Sequence, residues 1–298
     1  MKLVGYQHGA RQQVGVLVGD ETEILPLGVA LPPGAALDLT SLIEQWDVLA
    51  GKLDLEQPGR LRLSDVTLTA PIPQPRRNVI CVGRNYVEHA AEFGRSGYDA
   101  TGANADAGHT PDAPVVFTKA PSTVIGHGVD IEPHTAVTSA LDYEAELGVI
   151  IGRGGRGISR QQAMDHVWGY TIINDVTARD LQKNHKQWFL GKSLDTFCPM
   201  GPWAVTADEI GDGPLDLLCT VNGEVRQRAS TADLIFDIPT IIETISRGMT
   251  LQPGDVIATG TPKGVGLGFD PPRFLQPGDV VEISISGLGT LRNTVGAA

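Results

Sequence analysis

The stretch Leu141–Gly152, LDYEAELGVIIG, most limits what this chain can fold into, because it sets two glutamates inside a run otherwise apolar enough for a buried strand. Side chains alternate along a strand, so Glu144 and Glu146 face one side while Tyr143, Ala145, Leu147 and Val149 face the other. Two carboxylates on one buried face repel each other and lose hydration. Either that face is solvated or something cationic sits against it. A second apolar run, GYTIIND, ends on Asp175 and supplies a third carboxylate, with no Cys or His partner beside the three. An all-oxygen donor set of this kind favours a hard divalent ion, Mg²⁺ or Mn²⁺, with Ca²⁺ also admitted. The plain alternative is a solvated Glu-x-Glu face and a strand-end cap at Asp175.

The rest of the chain must supply the core and the counter-charges. Its 298 residues, 41% hydrophobic, allow one large domain or one with a small appendage. Aromatics make up 5%, with 36 Gly and 20 Pro, which favours a strand- and turn-rich protein over a helical bundle. A formal net charge of −12, from 35 acidic and 23 basic residues, argues against nucleic acid or an anionic membrane as main partner. It also means that an anionic substrate needs local positive charge at its site. The N-terminal stretch lacks the apolar core of a signal peptide, and no run approaches the length of a membrane span. Cys81, Cys198 and Cys219 are odd in number and scattered, a pattern that fits a reducing cytoplasm better than a disulfide framework.

Along the chain, residues 1–70 read as a small first domain and 71–298 as the main one, joined at the Pro-rich APIPQP. Short strands flank a turn at His8-Gly9, and apolar spacing from Leu37 to Ala50 predicts a helix, capped by Thr40 or by Ser41 with Glu44. In NVICVGRNYVEHAAE a strand turns at Gly83 into a polar segment, where His89 and Glu92 stand three apart on one helical face. A carboxylate beside an imidazole fixes its tautomer and raises its basicity, although such a pair also occurs on ordinary surface helices. The Gly-rich stretch 93–113, with His109 as a solvated loop residue, predicts a lid that orders over substrate. A helix is expected from Ser159 to Val167, a hairpin at Asn222-Gly223, and a helix through Ile238, Ile241, Ile242 and Ile245 with Pro239 near its start. The loop after GDVIATG lacks phosphate-loop spacing, but its backbone N–H groups and Thr261 suit a carboxylate, with a plain turn as the alternative.

Arg179, Asp180 and Gln182 follow the Asp175 run at once, and GKSLDTFCPMGP then brings Lys192. With Glu144-x-Glu146, Asp175 and His89-x-x-Glu92, this ordered set resembles the fumarylacetoacetate hydrolase family between residues 78 and 290. The resemblance implies an α+β fold: a strand-rich mixed β-sheet core, β-roll-like, with a small β-rich N-terminal domain. It implies Mg²⁺ or Mn²⁺ on Glu144, Glu146 and Asp175. His89, oriented by Glu92 on a mobile lid spanning 89–113, would activate water or move a proton. Lys192 would stabilise enolate or oxyanion charge, and Arg84, Arg179, Gln182, Gly260 and Thr261 would contact substrate. Arg179 reads equally well as a salt bridge to a neighbour such as Asp180. Some family members carry a further Asp ligand at the Arg84–Asn85 turn, and it is absent here. The expected activity is divalent-metal-dependent hydrolysis of a C–C bond in an acylpyruvate-like β-diketo acid, with a small anionic 2-oxo acid as substrate and a homodimer as the assembly. The same site suits an oxaloacetate-type decarboxylase or a 2-hydroxyhepta-2,4-diene-1,7-dioate-type isomerase. A non-catalytic metal-binding scaffold is the alternative of another class.

Overall fold

The computed structural model describes residues 1–9, 11–32, 38–98 and 111–297. Residues 99–110, which include His109 and the middle of the expected lid, lie outside the described residues. One long mixed sheet carries the fold. The strands of its main path begin, in chain order, with β1 (Lys2–His8), β2 (Arg11–Val18), β3 (Glu23–Pro26), β4 (Leu61–Arg62), β5 (Val79–Gly83), β6 (Val115–Lys119), β7 (Ala145–Ile151), β8 (Val167–Asn174) and β9 (Cys198–Thr206), and short strands Thr67–Thr69 and Val124–Ile125 pair onto β1 and β9. A second sheet uses β10 (Asp216–Val221), β11 (Glu224–Ser230), β13 (Val280–Ile285) and β14 (Gly289–Thr294), while β12 (Val256–Ala258) returns to the first. The spatial order of the first sheet is β4-β3-β2-β1-β9-β8-β7-β12-β5-β6.

β7 sits near the middle of this sheet and is buried along its whole length. That burial explains its near-continuous apolar sequence, since both faces are covered. Ala145, Leu147, Val149 and Ile151 enter one core with β10 and β13 residues such as Leu217, Cys219 and Ile283. Ile150 enters the opposite core with Leu3, Val16, Leu42 and Cys81. Glu146 shares the second face by alternation, and that face looks toward the site. β7 pairs antiparallel with β8 on one side, Glu146 opposite Ile173, and with β12 on the other. β12 pairs parallel with β5, Ile257 opposite Ile80. At the other end, β1 is hydrogen-bonded directly to β9, Leu3 opposite Ala204, so the first strands continue the same sheet.

Two expected local signals are displaced. The helix α1 (Leu39–Glu44) is capped by Asp38, whose carboxylate accepts from Ser41 N–H and Ser41 Oγ, so Ser41 lies inside the first turn and is not the cap. After Ser159 only a 3₁₀ turn forms, Ala163–His166. The backbone there is pinned to the later helix Ile238–Ser246: Gly157 N–H bonds Ser246 O, and Ile158 N–H bonds Ser246 Oγ. That later helix begins as expected, with Pro239 in its first turn and Asp237 capping Thr240 N–H. The β10–β11 hairpin turns at Asn222 (φ 52°) and Gly223 (φ 79°), the paired positive φ values of a two-residue turn. All three cysteines are buried free thiols.

Candidate active site

The three carboxylates come from one strand pair. Glu146 is in β7, Glu144 immediately precedes it, and Asp175 immediately follows β8. Asp175 N–H donates to Glu144 O at 2.8 Å, and Glu144 N–H donates to Asn174 Oδ1 at 3.1 Å, so the backbone itself fixes the two ends together. One oxygen from each of Glu144, Glu146 and Asp175 lies within 4.8 Å of the others, and all three residues are buried.

Cations surround this cluster unevenly. Lys192 Nζ donates to Glu144 Oε2 at 2.8 Å and to Asp175 Oδ2 at 2.7 Å. Lys119, at the end of β6, donates to Asp175 Oδ1 and to Val176 O. Arg179 Nη1 meets Glu144 Oε1 at 2.6 Å, and its Nε meets Asp142 Oδ2 at 2.8 Å. Burial pushes the Glu144 carboxyl up, but Lys192 and then Arg179 outweigh it and hold Glu144 well below the carboxylate range. Burial lowers Lys192, yet Asp175 and Glu144 more than compensate and keep it cationic. Glu146 has no cation bonded to it among the described residues: its Oε2 accepts Gly260 N–H at 2.8 Å. Burial first, then the charges of Asp175 and Glu144, push the Glu146 carboxyl well above its usual range.

That surplus is the test of fit for a metal. With all four carboxylates ionised, Asp142, Glu144, Glu146 and Asp175 against Lys119, Arg179 and Lys192 leave one negative charge in excess at Glu146, which a proton covers when no cation is bound. A hard divalent cation among three oxygen donors relieves it and turns the site net positive toward an anion. The residues fit, and Glu144, Glu146 and Asp175 would hold the ion.

The other expected residues collect around one small cavity of about 20 Å³, enough for a water molecule or an ion. Arg84, His89, Arg179, Gln182, Lys192 and Thr261 line it together with Glu144 and Glu146. His89 projects from the helix α2 (Val87–Arg95), and its Nδ1 lies 3.2 Å from Glu92 Oε2, so the pair read from spacing is formed. Arg84 sits at φ 56° with its guanidinium 5.0 Å from the Phe93 ring. Arg179 pairs with Asp142 and Glu144, not with Asp180. Asp180 instead accepts from Thr138 Oγ1 and Ser139 N–H. Gly260 N–H is given to Glu146, which makes this glycine part of the carboxylate support. A Cβ there would meet Asn85 Cβ at 2.7 Å, and its φ of 105° suits glycine. Thr261 Oγ1 accepts from Gln227 Nε2 at 2.7 Å.

Asp142 and Gln227 were not among the residues expected at the site; Asp142 carried a signal, an acid two places before Glu144, and Gln227 carried none. Lys119, in a segment that resembles the mouth of the family's site and reads equally as a substrate contact or as structural, donates to Asp175. Asn85, at the turn where some family members carry an Asp ligand, bonds Thr259 O and Phe236 across the chain.

Residues 78–296 match the family described as fumarylacetoacetate (FAA) hydrolase C-terminal, and the chain belongs to this enzyme family. It is similar to the oxaloacetate tautomerase YisK of Bacillus subtilis (strain 168), with 55% identity over 235 residues that cover 78% of this chain and 74% of that one. Among solved structures it is similar to the fumarylacetoacetate hydrolase EaFAH of psychrophilic Exiguobacterium antarcticum, at 44% identity, 100% coverage of both chains and a TM-score of 0.85. It is also similar to the maleylpyruvate hydrolase of Sphingobium sp. SYK-6 in complex with manganese (II) ion and pyruvate, at 31% identity, 99% coverage of both and a TM-score of 0.76. No helix among the described residues is long and apolar enough to cross a membrane.

Proposed function

We propose that this chain catalyses metal-dependent keto–enol proton transfer on a small dicarboxylic 2-oxo acid, with oxaloacetate as the first candidate. The carrying observation is that His89, paired with Glu92, and the buried ammonium of Lys192 line one small cavity with Glu144 and Glu146, and that Lys192 also binds the third carboxylate, Asp175. The 55% identity to an oxaloacetate tautomerase supports this reading.

A divalent cation on Glu144, Glu146 and Asp175 would act as a Lewis acid for adjacent carboxylate and oxo oxygens of the substrate. The chain's own residues supply the proton movement. Glu92 accepts the Nδ1–H of His89, leaving Nε2 as the basic nitrogen. Nε2 takes a proton from the carbon next to the oxo group, and the electron pair of that C–H bond forms the C=C bond. The oxo oxygen gains the charge and takes up a proton, and the reverse path restores the keto form. Lys192 offsets charge developing on that oxygen. Arg84, at the cavity wall, faces the substrate's second carboxylate. Arg179 is engaged with Asp142, Glu144 and Gln182, so its part is to orient Glu144.

A second reading is hydrolysis of an acylpyruvate. It is favoured by the likeness to maleylpyruvate hydrolase, and there His89 would activate a water for attack on the distal carbonyl. The test is NMR of oxaloacetate and of acylpyruvates with EDTA-stripped protein, before and after Mg²⁺ or Mn²⁺. Accelerated exchange between keto and enol signals, lost by about 10²-fold or more in His89→Ala, is the expected result. Pyruvate plus a carboxylic acid replaces it with the hydrolase reading, and CO₂ release with decarboxylation. No metal-dependent change on any of these acids overturns the proposal.

A further inference from the structure

Asp142 is fully buried and accepts four hydrogen bonds. Its Oδ1 takes Tyr143 N–H at 2.9 Å and Gly266 N–H at 2.6 Å. Its Oδ2 takes Arg179 Nε–H at 2.8 Å and Leu267 N–H at 3.0 Å. Two of these donors belong to one short loop, 264–268. The same loop faces the other way as well: Gly264 N–H donates to Glu92 at 3.0 Å to Oε1 and 3.3 Å to Oε2. Val265 and Leu267 pack on Phe93 of α2, so the loop is pressed against the helix that carries His89 and Glu92.

Two glycines set how closely it is pressed. A Cβ on Gly268 would fall 1.8 Å from Glu92 Oε1 and 2.1 Å from Glu92 Cδ, well inside any real contact. A Cβ on Gly266 would fall 2.7 Å from Asp142 Oδ1. The loop thus lies between two carboxylates and bonds both through its backbone. Arg179 continues the line to Glu144 at 2.6 Å. One hydrogen-bonded line therefore runs from Glu92 through loop 264–268 to Asp142, Arg179 and the first carboxylate of the cluster.

We infer that Asp142 and loop 264–268 form a positioning device that sets Glu92 against His89 and Arg179 against Glu144 together, with Gly268 as the contact that fixes Glu92. The inference rests on His89–Glu92 being the acid–base pair, and it assigns neither Asp142 nor Gly268 a contact with substrate. Its readouts are independent of turnover, so the loss of a predicted reaction does not bear on it.

The test follows the His89 imidazole by ¹⁵N NMR of the full chain at one fixed pH, in wild type, Glu92→Gln, Gly268→Ala and the double variant. Displacing Glu92 breaks its contact with the ring, so Gly268→Ala should move the Nδ1 resonance in the same direction as Glu92→Gln does. In the Glu92→Gln background it should move the resonance no further, the non-additivity expected of groups acting through one contact. A Gly268→Ala protein that is folded but keeps the wild-type resonance overturns the inference, and so do additive shifts.

If Gly268→Ala instead lowers Tm, adding Glu92→Ala removes the colliding carboxylate and should recover it. Failure to recover overturns the role given to Gly268. Asp142→Asn probes the other end, because its amide sets a donor against either Arg179 Nε–H or the loop N–H groups. It should both shift the His89 imidazole resonance and weaken Mn²⁺ binding, read by electron paramagnetic resonance. A shift in only one of the two would show that the ends are not positioned together.

Discussion

Among single residues, Glu146 has the sharpest consequence for solution behaviour. Its folded-state carboxyl is raised by burial and by Asp175 and Glu144, so without a cation the folded chain holds a proton that the unfolded chain releases. Stability from that protonation is complete below the ordinary glutamate range and is lost as pH rises toward the raised value. A bound divalent ion replaces the proton, so metal affinity increases over the same interval. Thermal unfolding with and without Mn²⁺ should show a larger stabilisation at pH 8 than at pH 5, and an equal or smaller one at pH 8 would contradict this account. Glu144, Glu146 and Asp175 could be read from the sequence because carboxylates inside apolar runs are costly and need a reason. The partners of Arg179 could not. Asp180 is its chain neighbour, whereas Asp142 reaches it through the short pairing of Leu141–Asp142 with Thr177–Ala178.

At the level of elements, strands read well and caps read poorly. The runs NVICVG, PVVFTK and GYTIIND became β5, β6 and β8 because length, apolarity and flanking turns agree. The expected helix after Ser159 shrank to a 3₁₀ turn because the chain entering it is pinned to Ser246 through Gly157 and Ile158 N–H, and Arg160 N–H is taken by Glu243, far along the chain; no local pattern reports that. The hairpin at Asn222-Gly223 is the opposite case, a purely local signal that the fold keeps. Gly223→Ala forces a side chain into the left-handed region and should cost about 1–2 kcal/mol in urea unfolding. The turn joins β10 to β11 in the second sheet and none of its residues lines the cavity, so metal binding should be unchanged.

At the level of the whole molecule, β1 and β9 tie the first strands to the sheet that holds the site. Leu3 is fully buried in the core that also takes Ile150 of β7. Leu3→Ala should cost about 2–5 kcal/mol and lower a single cooperative transition seen alike by circular dichroism and by Trp fluorescence. Two separate transitions would mean that the first 70 residues unfold independently. The strand order also bears on assembly. The carboxylates lie on β7 or at the adjoining ends of β7 and β8, antiparallel neighbours close in sequence, whereas the wall bearing His89 needs β5 to meet β12, Ile80 beside Ile257. Closing a long loop carries an entropic cost before the distant contact returns anything. During refolding, cation binding should therefore appear ahead of acid–base competence, and a nascent chain would become a metal binder before it became an enzyme.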